Sequence, residues 1–231
     1  MLRRDFLKLC ALPAAGAAAP SLAADARPHY YARVKLVDEK GAPLLARAVP
    51  VERNLIFDYP YASTPCFLLN LAKPVHAPAR LRTAAAQSYE WEGGVGATRS
   101  IVAYSAICAH KLTYPTREIS FISYRAEKSP GNKLGAVIHC CSEHSQYDPA
   151  DGGRVVAGPA PQPLAAILLE HDPRSDELHA VGTLGGELFR EFFDKYAFRL
   201  QMEIGRTAHE AVTGTCVVKE LENYCRQQVK C

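Results

Sequence analysis

The sequence predicts a mostly β fold with helical structure confined to its C-terminal end. Three observations support this. Short runs rich in Val, Ile, Leu, Tyr and Phe recur between residues 30 and 181, turn residues separate them, and a helical apolar stripe appears only after residue 185. With 48% hydrophobic and 22% charged residues among 231, the chain has enough apolar mass for a core, and its composition excludes disorder and collagen-like repeats. Its 27 basic and 24 acidic residues form no basic stripe, which excludes a nucleic-acid binder.

Residues 1–23 read as an export signal. Arg3 and Arg4 precede Asp5, Phe6, Leu7 and Lys8, and a weakly apolar, Ala-rich stretch runs to about Leu22. That stretch contains Pro13 and Pro20 and falls short of the roughly 20 strongly apolar residues of a spanning helix. Arg-Arg-Asp-Phe-Leu-Lys resembles the twin-arginine signal, which implies periplasmic export of a folded, cofactor-loaded protein. Cleavage after Ala23 or Ala26 fits equally, and the chain left after residue 23 is nearly neutral.

The predicted strands follow in order. Ala32–Val37, a turn at 40–43, Leu45–Val51 and Leu55–Asp58 come first, then Ala86–Trp91 and Ser100–Ser105, the latter continuing towards Ile107. Ile119–Tyr124, Leu134–Ile138, Ala166–His171 and Glu177–Val181 complete them, the last two flanking a hairpin loop at 172–176. Gly93, Gly94 and Gly96 read as a turn, since no helix follows them. Helices are predicted at Gly186–Arg199, where Leu188, Phe189, Phe192, Phe193 and Tyr196 mark a docking stripe, and at Thr215–Gln228. The expected organisation is a signal at 1–23, a β domain at 24–185 and a helical extension at 186–231.

Two segments carry chemistry. Cys108-Ala-His110 follows the strand ending near Ile107, and Cys141-Ser-Glu-His144 follows the strand ending near Ile138, with thirty residues between His110 and Cys141. Each offers a thiolate and an imidazole, so two neighbouring strand ends would present a two-Cys, two-His set suited to zinc or to an iron–sulfur centre. Cys66, Cys216, Cys225 and Cys231 read as disulfide partners or buried thiols, with a small Cys216–Cys225 loop or a tail tied to Cys66 among the options. His139, His171, His179 and His209 lack a paired ligand motif and read as surface or core residues.

The pattern resembles the Rieske iron–sulfur family, in which Cys-x-His and Cys-x-x-His hold a [2Fe-2S] cluster. The resemblance extends through Ser145, Tyr147-Asp148, Gly153-Arg154-Val155, the proline loop Gly158-Pro159-Ala160-Pro161 and Leu164, within about residues 100–182. It implies a Rieske-type antiparallel β-sandwich with a small cluster-binding subdomain near 106–161. Cys108 and Cys141 would bind the inner iron, and His110 and His144 the outer one. Ser145 and Tyr147 would hydrogen-bond cluster sulfurs, and the proline loop would cover the centre. With two thiolates and two neutral imidazoles the oxidised cluster is uncharged, and hydrogen bonds to sulfur raise its potential further. The family's outer histidines meet the redox partner and couple electron transfer to proton loss.

Three departures stand out. The extra cysteines that staple the two loops in respiratory members fall at Thr113 and Glu143 here. Ser145 and Tyr147 lie one position closer to His144 than the family spacing, so counting from His144 selects Cys141 and counting from Tyr147 selects Cys140, the alternative ligand. The inserted segment, including residues 114–117 and 127–132, is longer than usual and offers a place for a partner to dock.

The reading is periplasmic one-electron transfer by an electron-transfer subunit or carrier rather than a complete enzyme. Its partner is a c-type cytochrome or an oxidoreductase large subunit, in the manner of arsenite oxidase small subunits. The alternatives are a Rieske subunit of a membrane quinol-oxidising cytochrome bc-type complex, which needs a retained N-terminal anchor, and a structural zinc-binding module.

Overall fold

The computed structural model describes residues 26–75, 78–129 and 133–231; the export signal read at 1–23 lies outside them, as does 130–132 of the inserted segment. The strands are β1 (His29–Val37), β2 (Leu55–Asp58), β3 (Pro65–Asn70), β4 (Ala79–Arg82), β5 (Ser88–Trp91), β6 (Ile101–Ser105), β7 (Ile119–Ser120) and β8 (Ile122–Arg125). They continue with β9 (Val137–Cys140), β10 (Ser145–Asp148), β11 (Arg154–Ala157), β12 (Ala166–His171), β13 (Leu178–Leu184), β14 (Gly214–Val217), β15 (Lys219–Glu220) and β16 (Gln227–Gln228). The helices are α1 (Phe189–Glu203) and the single turn α2 (Leu221–Tyr224). The fold is mostly β with a large antiparallel sheet. Among the described residues no helix is long and apolar enough to cross a membrane.

An eight-stranded sheet in the order β14-β1-β13-β12-β6-β3-β2-β15 forms the base, antiparallel except where β14 runs parallel to β1. Its central strand β3 is apolar on both faces. Phe67 and Leu69 join one core with Val102 and Tyr104, while Cys66 and Leu68 join the other with Val34, Leu36 and Phe57. The first core also takes Leu81, Tyr89 and Trp91 from the β4–β5 hairpin, and Ile122, Ile138 and Tyr147 from a four-stranded sheet ordered β11-β10-β9-β8. That smaller sheet carries the second ligand loop, so the core shared with the base fixes where the loop stands.

The predicted helix over Thr215–Gln228 is mostly extended instead. Cys216 and Val218 point inward while Thr215 and Val217 point outward, the two-residue alternation of a strand, and only Leu221–Tyr224 form a helical turn. This short stretch lines both edges of the base, β14 beside β1 and β15 beside β2, which protects edges that would otherwise pair with other chains. The predicted strand at 45–51 is a 3-10 turn at Ala46–Ala48. The helix predicted at Gly186–Arg199 is present as α1. Its buried residues Phe189, Phe192 and Leu200 pack on Ile107 and Tyr114, which flank the first ligand segment, and the Tyr114 and Phe192 rings meet edge to face at 4.8 Å.

One charge inside this base gives a pH-dependent expectation. Burial pushes the Asp58 carboxyl up to about 7, although Lys219 and Arg117 pull it down. The folded chain therefore holds this proton to higher pH than the unfolded chain does. The associated stability is fully present below the unfolded value near 3.8 and is lost as pH rises through about 7. Asp58→Asn is expected to stabilise the protein by roughly 2–4 kcal/mol at pH 8, with most of that gain gone at pH 4.5. Urea unfolding at both pH values checks this, and an equal effect at the two would refute it.

Candidate metal centre

The first ligand segment leaves β6 and turns back at once. Cys108 N–H donates to Thr113 O at 2.8 Å and Leu112 N–H to Cys108 O at 2.9 Å, with Leu112 at φ +59°. Cys108 is thereby buried to 1% exposure, while His110 is half-buried. The second segment is the β9–β10 hairpin, whose register pairs Cys140 with Ser145 and Ile138 with Tyr147. Residues 141–144 form its tip, and His144 stands exposed at φ +59°. The proline loop lies over this tip. A Cβ on Gly158, at φ +86°, would come within 2.5 Å of His144 O and of Ser145 Cα, so only glycine allows the approach.

The two segments meet through sulfur. The Tyr147 hydroxyl lies 3.2 Å from Cys108 Sγ while accepting from Ala109 N–H at 3.1 Å, and the buried Cys108 and Cys140 thiols stand close enough to shift each other's titration. The neighbouring Cys140 thiol pulls the Cys108 thiol down to about 6 against its burial, helped by Tyr147 and by the backbone N–H groups of His110 and Lys111. Cys140 is pushed up, first by the neighbouring Cys108 and then by burial, although the Ser142 and Glu143 N–H groups pull it down. The Tyr147 hydroxyl is set against the sulfur of this buried pair.

Cys141, the ligand selected by counting from His144, is not in that pair. Its sulfur is bonded to Cys231, and a disulfide sulfur is not a thiolate ligand. Counting from Tyr147 selects Cys140, the cysteine the structure sets against Cys108. Tyr147 and Cys140 are both strand positions fixed by the hairpin register, whereas His144 sits in the tip one residue further from Cys140 than Cys-x-x-His spacing puts it.

Two other atoms bear on what this centre can hold. Ser145 Oγ and His110 Nδ1 are buried, and neither meets a hydrogen-bond partner among the described residues. An unsatisfied buried hydroxyl costs about 1–3 kcal/mol, so each calls for a partner. A cluster with sulfide and iron supplies both, an acceptor for Ser145 and a metal for His110. Cys108, Cys140, His110 and His144 are the side chains that would hold such a group.

The remaining candidates fall outside this set. Cys66, Cys216 and Cys225 are buried free thiols, and Cys231 pairs with Cys141 rather than with Cys66. His171 bonds Asp176 at 2.8 Å, His209 lies against the Phe193 ring, and His179 is buried. His139 is fully buried, and its ring centroid lies 5.8 Å from that of His144. Its ligand atoms lie within 4.8 Å of the sulfurs of Cys141 and Cys231, which are bonded to each other. Sequence reasoning also missed the link between the two ligand segments, an exposed Lys111–Glu143 ion pair at 2.7 Å, in which Glu143 occupies one of the positions where respiratory members carry a staple cysteine.

No protein-family model matches the chain. Among solved structures it is similar to the soluble domain of the Rieske protein II (soxF) from Sulfolobus acidocaldarius, at 28% identity over 66% of this chain and 78% of that one, with a TM-score of 0.45.

Proposed function

We propose that this protein is a Rieske-type one-electron carrier, exported to the periplasm, serving an oxidoreductase large subunit or a c-type cytochrome. The observation that carries the reading is the buried Cys108–Cys140 pair with the Tyr147 hydroxyl on Cys108 and the Ser145 hydroxyl unpaired beside it in the hairpin. Such donors serve sulfur that gains negative charge; a structural zinc ion would give Ser145 no sulfide to bond. The bound cluster would supply one reversible electron at a potential of about −150 to +300 mV.

The chain's own residues determine access and tuning. Cys108 and Cys140 anchor the buried side. His144 is exposed at the tip and would be the side chain that meets a partner, while His110 is half-buried. Gly158 brings the proline loop down onto the tip and limits water there. Tyr147 directs its hydroxyl to Cys108 Sγ, and the buried, unpartnered Ser145 hydroxyl would serve a cluster sulfide.

The test is metal analysis of the full chain purified without oxygen, with an EPR spectrum after dithionite reduction. About two irons and two acid-labile sulfides per chain, with a rhombic signal of low average g and a midpoint within the range above, are expected. Stoichiometric zinc without iron would overturn the reading.

A further inference from the structure

The last residues of the chain do not trail away from the metal centre; they are bound to it. After α2, Arg226 N–H donates to Arg117 O at 2.9 Å, Gln227 N–H to Glu118 O at 3.1 Å and Val229 N–H to Ser120 O at 2.8 Å, so that β16 runs parallel beside β7. The Arg125 guanidinium donates to Val229 O, and Ser129 Oγ donates to Cys231 O at 3.0 Å. The tail ends in the Cys141–Cys231 disulfide, closed across 90 residues of sequence, with the buried His139 ring 3.5 Å from Cys231 Sγ. Cys141 is the first residue of the second ligand tip, and its own N–H donates to Phe121 O at 2.6 Å.

The disulfide also bears on which cysteine binds metal. Cys140 and Cys141 are adjacent, and Cys141-Ser-Glu-His144 has a two-residue gap between thiol and imidazole, while Cys140 has a three-residue gap. A free Cys141 would therefore offer a second thiolate, with a spacing that also suits metal. Bonded to Cys231, it offers none.

We propose that the Cys141–Cys231 disulfide makes the C-terminal tail a positioning element for the metal centre, clamping the second ligand tip to the β7–β8 edge and withholding Cys141 so that Cys140, not Cys141, supplies the second thiolate beside Cys108. The ligand-selecting part rests on the Rieske reading above; the clamp does not. Cys141 and Cys231 act through the ligands rather than on the metal themselves.

The test uses the full chain, exported to an oxidising compartment, as wild type, Cys231→Ser and Cys141→Ser/Cys231→Ser. In metal-free wild type, peptide mapping without reductant is expected to recover Cys141 linked to Cys231, and both variants are expected to lose about 5–15 °C in Tm. In iron-loaded protein, Cys231→Ser is expected to show two overlapping EPR species, one for each ligating cysteine. The double variant, which lacks the competing thiol, is expected to return to one species.

Unlinked peptides or an unchanged Tm would overturn the clamp, since both are read without metal and leave the electron-transfer reading untouched. A single unchanged EPR species in Cys231→Ser would overturn ligand selection. Absence of iron from the wild type would overturn the electron-transfer reading while the clamp stood on its own measurements.

Discussion

Cys140→Ala is expected to give a folded chain that retains less than about a tenth of the wild-type iron, whereas Cys141→Ala keeps most of it. Cys140 is fully buried, and Tyr147, whose hydroxyl faces Cys108, is positioned by the same hairpin register that positions Cys140. Removing this thiol leaves one buried cysteine on the inner side, and a single thiolate does not hold an iron that needs two. Removing Cys141 breaks the link to the tail but leaves all four ligand side chains in place. Iron and sulfide analysis of the two variants, purified in parallel, reads the difference. The opposite pattern, with iron kept in Cys140→Ala and lost in Cys141→Ala, would restore the ligand chosen by counting from His144.

The reversal at Cys141 shows where local spacing stops being informative. The two ligand segments, the Ser145 and Tyr147 hydroxyls and the proline loop were all legible as short motifs, because each depends on residues near one another in sequence. Helix α1 was legible for the same reason, its apolar stripe repeating at helical spacing through Phe189 and Phe192. Strand β3 gave no alternating signal because both of its faces are buried, and no strand is assigned to Pro65–Asn70 from the sequence. The tail misread as a helix carried its true signal in the alternation of Cys216 and Val218, which is only four residues long. The Cys141–Cys231 pairing depends on how a 90-residue segment folds back, and no local pattern encodes that.

Tyr147→Phe and Ser145→Ala are each expected to lower the midpoint potential of the loaded protein by about 60 mV. The reduced cluster carries one more negative charge than the oxidised one, so a hydroxyl donating to sulfur stabilises it more. A difference of about 1.4 kcal/mol for a one-electron couple corresponds to about 59 mV. Tyr147 is fully buried, so Phe keeps the ring in its packing and removes only the oxygen that lies 3.2 Å from Cys108 Sγ.

Ser145 allows a second, opposite reading from the same substitution. In metal-free protein its Oγ is buried without a partner, and Ala removes an unsatisfied group, so Ser145→Ala is expected to leave that form as stable as wild type or more stable by about 1 kcal/mol. A lower potential in the loaded form together with no loss of stability in the metal-free form separates a hydrogen bond to cluster sulfur from a structural role, because a purely structural hydroxyl would cost stability in both. Redox titration followed by EPR and thermal unfolding of the metal-free chain make the comparison. Unchanged midpoints in both variants would mean that neither hydroxyl bonds a cluster sulfur.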